Sequence, residues 1–293
     1  RPNPSEGNIY RFVSEGNFNQ NQLIVNSNVR LGTKIQMFGF YVLNYANSDT
    51  SGVSSFPSNS YNISQDYGRA SFDTRHRLFF GGTIALPYAF RLSPFLVASS
   101  GSPFNIRSPN DLNGDSVFID RPGFVSSATC AATTVSPTDA NVFCTQLGTF
   151  NARPDLVPGQ RILPVNFATG PNHFVLNLRF TKTFGFGPKT RGATAVPGAG
   201  GGPGGGGGPR GGGGGPRGPL FGGGPSGMAA ASDRRYNLTL GVSVRNVFNN
   251  VNTTNPSGIL GSPFFDTANA LQGGAFSTGA ANRRLDLQAT FNF

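Results

Sequence analysis

Hydrophobic and polar positions alternate without a break at the end of the chain. Residues 285–293 read LDLQATFNF, with Leu285, Leu287, Ala289, Phe291 and Phe293 interleaved with Asp286, Gln288, Thr290 and Asn292. Successive side chains of a strand point to opposite faces, so this period of two predicts a strand with one apolar and one polar face. Residues 236–245 repeat the pattern, setting Tyr236, Leu238, Leu240, Val242 and Val244 against Asn237, Thr239, Gly241, Ser243 and Arg245. So do 173–184, around Phe174, Leu176, Leu178 and Phe180, and 76–86, around Leu78, Phe80, Ile84 and Leu86. Less regular alternation marks 8–15, 21–31, 34–46 and 90–100, which brings the expected total to about eight strands.

These strands suit a membrane wall better than a soluble sandwich. They are about 9–13 residues long, where about 5–6 is usual. Their polar faces consist of Asn, Thr, Ser, Gly and Arg, which fit a wet lumen. Tyr41, Tyr45, Tyr88, Phe90, Phe184, Phe186, Phe248 and Phe291 gather near strand ends, where outer-membrane barrels carry aromatic girdles. With Phe293 at the periplasmic end, residues 249–281, 101–170, 47–72 and a short turn near 16–20 become external connections. Residues 87–89, 32–33 and 185–232 become periplasmic ones. Such barrels have long external loops and short periplasmic turns, and 185–232 is the one exception.

Composition supports this picture. Charged residues make up 12% of the chain, about half the share in a soluble domain. No run of about 18 apolar residues offers a transmembrane helix, but a barrel strand needs only about 9–11 alternating residues. The opening RPNPSEGNIY has neither an initiator Met nor the apolar segment of a signal peptide. An exported barrel needs one, so the protein is expected to extend upstream of Arg1. The net charge of +10 and pI of about 10.3 raise nucleic-acid binding. The basic residues are scattered without a dense cluster, so nucleic acid is not an expected partner. Between 198 and 227, 19 of 30 residues are Gly. Such a tract cannot bury a core, and 185–232 is expected to be a flexible insertion. Phe221 is the one ring among these glycines, which gives little support to a polyanion-binding role.

An ordered series of segments carries a family likeness. It comprises FDTRHRLFFGGTIALP (72–87), SSGSPFNI (99–106), DLNGDSVFIDRP (111–122), ARPDLVPG (152–159), LNLRFTKTFGFG (176–187), VRNVFNNVNTTNP (244–256) and ANRRLDLQATFNF (281–293). Together these resemble TonB-dependent outer-membrane receptors of the Oar-like group, whose plug follows a carboxypeptidase-regulatory-like domain. The long Gly-rich insertion departs from that pattern. The resemblance implies an all-β, antiparallel transmembrane barrel segment, the last part of a barrel of about 22 strands. It implies a plug, and TonB contact through that plug, outside this chain. It also implies that the terminal strand, 282–293, is the signal read by the barrel-assembly machinery, which here falls on Leu287, Phe291 and Phe293.

Several residues are candidates for chemistry. Asp111, Asn113, Asp115 and Asp120 include a D-x-N-x-D spacing, as at the start of a calcium loop. Ser116 and Pro122 stand where a full EF-hand loop has Gly and Glu, so the alternative is a turn in which Asx side chains bond their own backbone. Structural calcium is the one candidate cofactor. Arg75 and Arg77 open a strand at the external end, and guanidinium pairs well with phosphate. Contact with lipopolysaccharide is therefore expected there. Cys130 and Cys144, 14 positions apart, could form a disulfide on an oxidising surface. No enzyme is expected. His76 and His173 are the only histidines, and no G-x-S-x-G, H-E-x-x-H or G-x-x-x-x-G-K-[ST] motif occurs.

The expected function is barrel wall and external loops of a receptor for TonB-dependent uptake of an unidentified ligand, in the bacterial outer membrane. Two alternatives remain open at this point. One is a complete barrel of about eight strands serving as an anchor or adhesin. The other is a surface-binding protein with 101–170 as its adhesive loop.

Overall fold

The computed structural model describes residues 11–53, 55–125, 141–189, 234–274 and 281–293. Seven long strands form one antiparallel sheet. They are β1 (Phe18–Leu31), β2 (Ile35–Ser48), β3 (His76–Leu86), β4 (Phe90–Ser99), β5 (His173–Lys189), β6 (Arg234–Arg245) and β7 (Arg284–Asn292). Each pairs with its neighbour in sequence. The short strand Gly68–Arg69 adds to the end of β2. No α-helix occurs among the described residues.

The register explains why alternation was the dominant signal. Leu31, Ile35, Ile84, Leu92, Phe180, Val242 and Leu287 lie opposite one another in a single row across all seven strands. One residue away, on the other face, lie Arg30, Gln36, Thr83, Ser93, Arg179, Ser243 and Asp286. A slip of one residue between any two strands would push a charged or amide group into the apolar row, so the pairing is strongly specified.

Aromatic rings mark both ends of the apolar face. At one end Tyr41 stacks on His76 and Phe174 lies tilted against Phe248, while Arg75 lies 4.1 Å from the centre of the Tyr45 ring. At the other end Phe186, Tyr236 and Phe291 stack on one another, and Phe293 stacks on Phe291. Phe174 and Phe186 both belong to β5, 12 residues apart. At about 3.3 Å per residue this is roughly 40 Å of strand. With a tilt of about 40°, it spans roughly 30 Å of height, close to the apolar band of a barrel.

Three expectations are corrected. Residues 11–17 form no strand, so the strand expected at 8–15 is absent from its described part. Gly16 packs against Thr50, and Asn17 donates its N–H to Asp49 Oδ1 at 2.7 Å, which ties this segment to the loop after β2. The expected Gly-rich insertion begins later, because β5 continues to Lys189 and is bonded to β6 as far as Arg234; the rest of the tract lies outside the described residues. Finally, the second face is not uniformly polar. Phe38, Phe40, Phe79 and Phe95 cluster on it, with ring centroids 5.2–5.8 Å apart, and Phe79 is 4% exposed.

The connections on the two sides differ sharply. Gly32–Lys34 and the turn Pro87–Ala89 are tight, with left-handed backbone at Gly32, Tyr88 and Ala89. On the other side, three long loops fold together into a cap. Its core is Phe104, Ile106, Phe150, Ala152, Leu163, Ala168 and Leu260, all buried. The pairs Pro103–Phe104 with Ala168–Thr169, and Val142–Thr145 with Gly148–Asn151, give it sheet structure of its own. The described residues of 101–170 therefore form a packed layer. Loop 249–274 joins it where Arg107 N–H bonds the Gly258 carbonyl and Leu260 N–H bonds the Arg107 carbonyl.

Candidate functional site

Polar side chains gather in two places, the cap and the polar face of the sheet. Cap geometry depends on residues that motif spacing did not single out. Asp73, fully buried, accepts the Ala46 N–H at 2.9 Å and the Asn44 amide at 3.2 Å through Oδ1. Its Oδ2 lies 2.9 Å from Arg75 Nε and 3.3 Å from Arg69 Nε. The FDTR segment is thus a carboxylate hub that holds the end of β2 and the start of β3 together. Asn252 plays a comparable part on β5: it accepts the Phe174 N–H at 2.8 Å and donates to the Phe174 carbonyl at 3.2 Å. Asn246, left-handed at φ 51°, bonds the backbone of Asn250 in both directions. The asparagines of 244–256 replace strand neighbours that the chain does not supply there. Asx chemistry was the available signal for them.

Asp66 and Arg121 join two loops. Arg121 Nη2 lies 2.7 Å from Asp66 Oδ1 and also donates to the Gln65 carbonyl at 2.9 Å. Burial pushes the Arg121 guanidinium below its ordinary range, while Asp66 and Asp120 oppose that shift. Burial likewise raises the Asp120 carboxyl above the usual range, against the bond it accepts from the Leu112 N–H; the charges of Asp115 and Asp111 push the same way as burial.

The calcium candidates are brought together as a hydrogen-bonded turn. Asp111 Oδ1 accepts from the Gly114 and Asp115 N–H groups, and Oδ2 from Ser116 N–H at 2.7 Å. Asn113 donates to the Ser58 carbonyl and accepts from Asp115 N–H. Asp120 points instead at Leu112, as above. Among the described residues, no group of three His, Cys, Asp or Glu could hold a metal. The backbone N–H groups that Asp111 accepts form an Asx-type turn.

The other candidates are placed as follows. Arg75 is committed to Asp73 and Tyr45. Arg77 donates to the Phe72 carbonyl and shares the face of Phe79 and Thr83. Cys144, on the strand Val142–Thr145, is disulfide-bonded; Cys130 lies outside the described residues. His173, 5% exposed, has Nε2 2.8 Å from the Thr253 carbonyl. Leu287, Phe291 and Phe293 share the apolar face of the last strand, at 77%, 50% and 92% exposure.

A family model described as an outer membrane beta barrel domain matches residues 1–192, about two thirds of the chain. The chain belongs to the outer membrane β-barrel family. Comparison with curated proteins and with solved structures finds no match.

Membership assigns the two faces and the location. The protein is a bacterial outer-membrane protein. The apolar rows face lipid between the two aromatic girdles, and the polar row faces the lumen. Lys182, on the lipid face, fits this frame. Its ammonium reaches the Tyr88 carbonyl at the turn and lies 4.2 Å from the Phe90 ring centre, so the charge leaves the apolar band while the stem stays in it.

Proposed function

We propose that this chain forms wall and external cap of a TonB-dependent outer-membrane receptor that takes up a ligand from the cell surface. The observation that carries this reading is the direction of the two edge strands. Among the described residues, β1 and β7 bound the row of seven long antiparallel strands, so they run the same way. Closing β1 onto β7 would require a parallel pair, whereas single-chain bacterial barrels are antiparallel with even strand numbers. Unpaired edges are not tolerated in hydrocarbon. The arrangement favours a wall segment completed by further strands over a self-contained barrel of eight. The order of the family-like segments, now placed on β3, β5, β6, β7 and the cap, supports the Oar-like group. In this reading the plug and its TonB contact lie in another part of the receptor. Outer-membrane lipid and lipopolysaccharide surround the apolar face, and the barrel-assembly machinery reads the last strand.

The cap favours a gated entrance over a flexible adhesive loop, because two of its loops share one core and the loop after β2 is bonded to them through Ser58, Asp66 and Arg69. Cells lacking the gene, cells lacking TonB and wild-type cells should be compared for solutes removed from the medium. The receptor reading expects the same solutes to be spared by both mutants. A gene deletion that leaves the uptake profile intact and lowers surface adhesion would establish the adhesin reading instead.

A further inference from the structure

The lumen-facing wall carries a charge asymmetry that neither the fold nor the cap requires. By register, Arg30, Arg77, Arg91, Arg179, Arg245 and Arg284 project from this face. Asp286 is the one acidic side chain on it among the described residues of the seven strands. Three of the arginines converge on adjacent strands. Arg245 Nε lies 2.8 Å and Arg284 Nε 3.3 Å from the two oxygens of Asp286. Arg179 crosses β6 to donate to Gln288 Oε1 on β7 at 2.8 Å.

The cluster is under-satisfied. One carboxylate serves two guanidiniums, and the third has no carboxylate partner among the described residues. The Arg179 Nε–H is buried without an acceptor, and Asp286 Oδ2 is within ion-pair range of Arg245 but accepts no hydrogen bond, although buried polar groups are normally paired. Guanidinium N–H groups in a planar fork match the oxygens of carboxylates and phosphates, and rings of Arg select anions in membrane pores.

We infer that Arg179, Arg245 and Arg284 form an oxyanion-binding site on the lumen wall, with Gln288 orienting Arg179 and Asp286 as the internal anion with which a ligand competes. The ligand class is a solute bearing carboxylate or phosphate groups. This deepens the receptor reading and rests on it for its biological sense.

The test uses the whole receptor that contains this chain, purified from outer membranes in zwitterionic detergent, with strand content checked by circular dichroism. Calorimetric titration with citrate and with inorganic phosphate distinguishes a carboxylate from a phosphate preference. Saturable binding of either probe is expected, weakened about tenfold or more by Arg179→Gln and by Arg284→Gln. Arg179→Lys should recover part of the loss, and Asp286→Asn should tighten binding several-fold. Lys182→Gln on the lipid face should change nothing. Binding that is absent from the folded receptor, indifferent to both Gln variants, or weakened by Asp286→Asn would overturn the site. Solute uptake by cells reads the receptor proposal separately, so a folded receptor that binds neither anion removes this inference alone.

Discussion

Arg121 Nη2 meets Asp66 Oδ1 at 2.7 Å across 55 residues of chain, with side-chain exposures of 5% and 11%. Removing one member of a buried pair strands the other charge. Asp66→Ala should therefore destabilise the cap by about 3–5 kcal/mol, without disturbing the seven-stranded sheet. Proteolysis of the folded protein in detergent should show faster cleavage in 55–72 and 101–125, with unchanged strand content.

Asp120 should make cap stability depend on pH. Its folded pKa is raised above the ordinary carboxyl value, chiefly by burial. The folded cap thus prefers the protonated form. Its stabilising contribution is fully present below about pH 4 and is lost as pH rises through the raised value. Asp120→Asn keeps an oxygen for the Leu112 N–H and cannot ionise. Near-UV circular dichroism melts from about pH 3.5 upward, starting near the ordinary carboxyl value, should show a falling difference between wild type and variant.

Asn252 substitutes for a strand neighbour of Phe174 and is 1% exposed. Asn252→Ala leaves the Phe174 N–H and carbonyl without these partners, at a cost of about 1–3 kcal/mol. Amide exchange at Phe174 should accelerate, while exchange in the centre of β5 should not.

Leu287 and Gln288 are consecutive but face lipid and lumen. Leu287→Arg should cost about 2–4 kcal/mol near mid-membrane, and Gln288→Arg far less. Urea unfolding in detergent or lipid vesicles reads the difference. Equal costs would remove the assignment of faces. The proposed reading of the last strand by the barrel-assembly machinery predicts that Phe293→Ala lowers the amount of protein recovered in the outer-membrane fraction.

The wall was legible in the sequence because its physics is local. Alternation around Leu240, Phe180 or Leu287 follows from the period of two, and the register merely aligns those patterns. The errors arose where a tertiary partner decided the outcome. Residues 8–15 alternate like a strand, yet the segment that follows is tied to the loop after β2, where Asp49 accepts from Asn17 and Gly16 packs on Thr50. Phe38, Phe40, Phe79 and Phe95 read as ordinary apolar content, and register alone reveals that they share the lumen face. The D-x-N-x-D spacing was legible as a turn or a calcium loop, and the direction of the backbone N–H groups toward Asp111 favours the turn. Asp66 with Arg121 carried no sequence signal, since nothing local connects residues 55 positions apart. The lumen arginines were visible as scattered charge; their convergence required the antiparallel pairing of β5, β6 and β7.

The cap also has a meaning in time. Its contacts join residues far apart in sequence: Asn113 with Ser58, Arg69 with Thr169, and Ser102 with Asn255, 55, 100 and 153 positions apart. Contacts of such separation close late, because the loop entropy must be overcome first. Ser102 can meet Asn255 once β4, β5 and β6 stand side by side. The external surface is therefore a record of completed assembly, and a chain with one hairpin out of register would display separate loops in place of a cap.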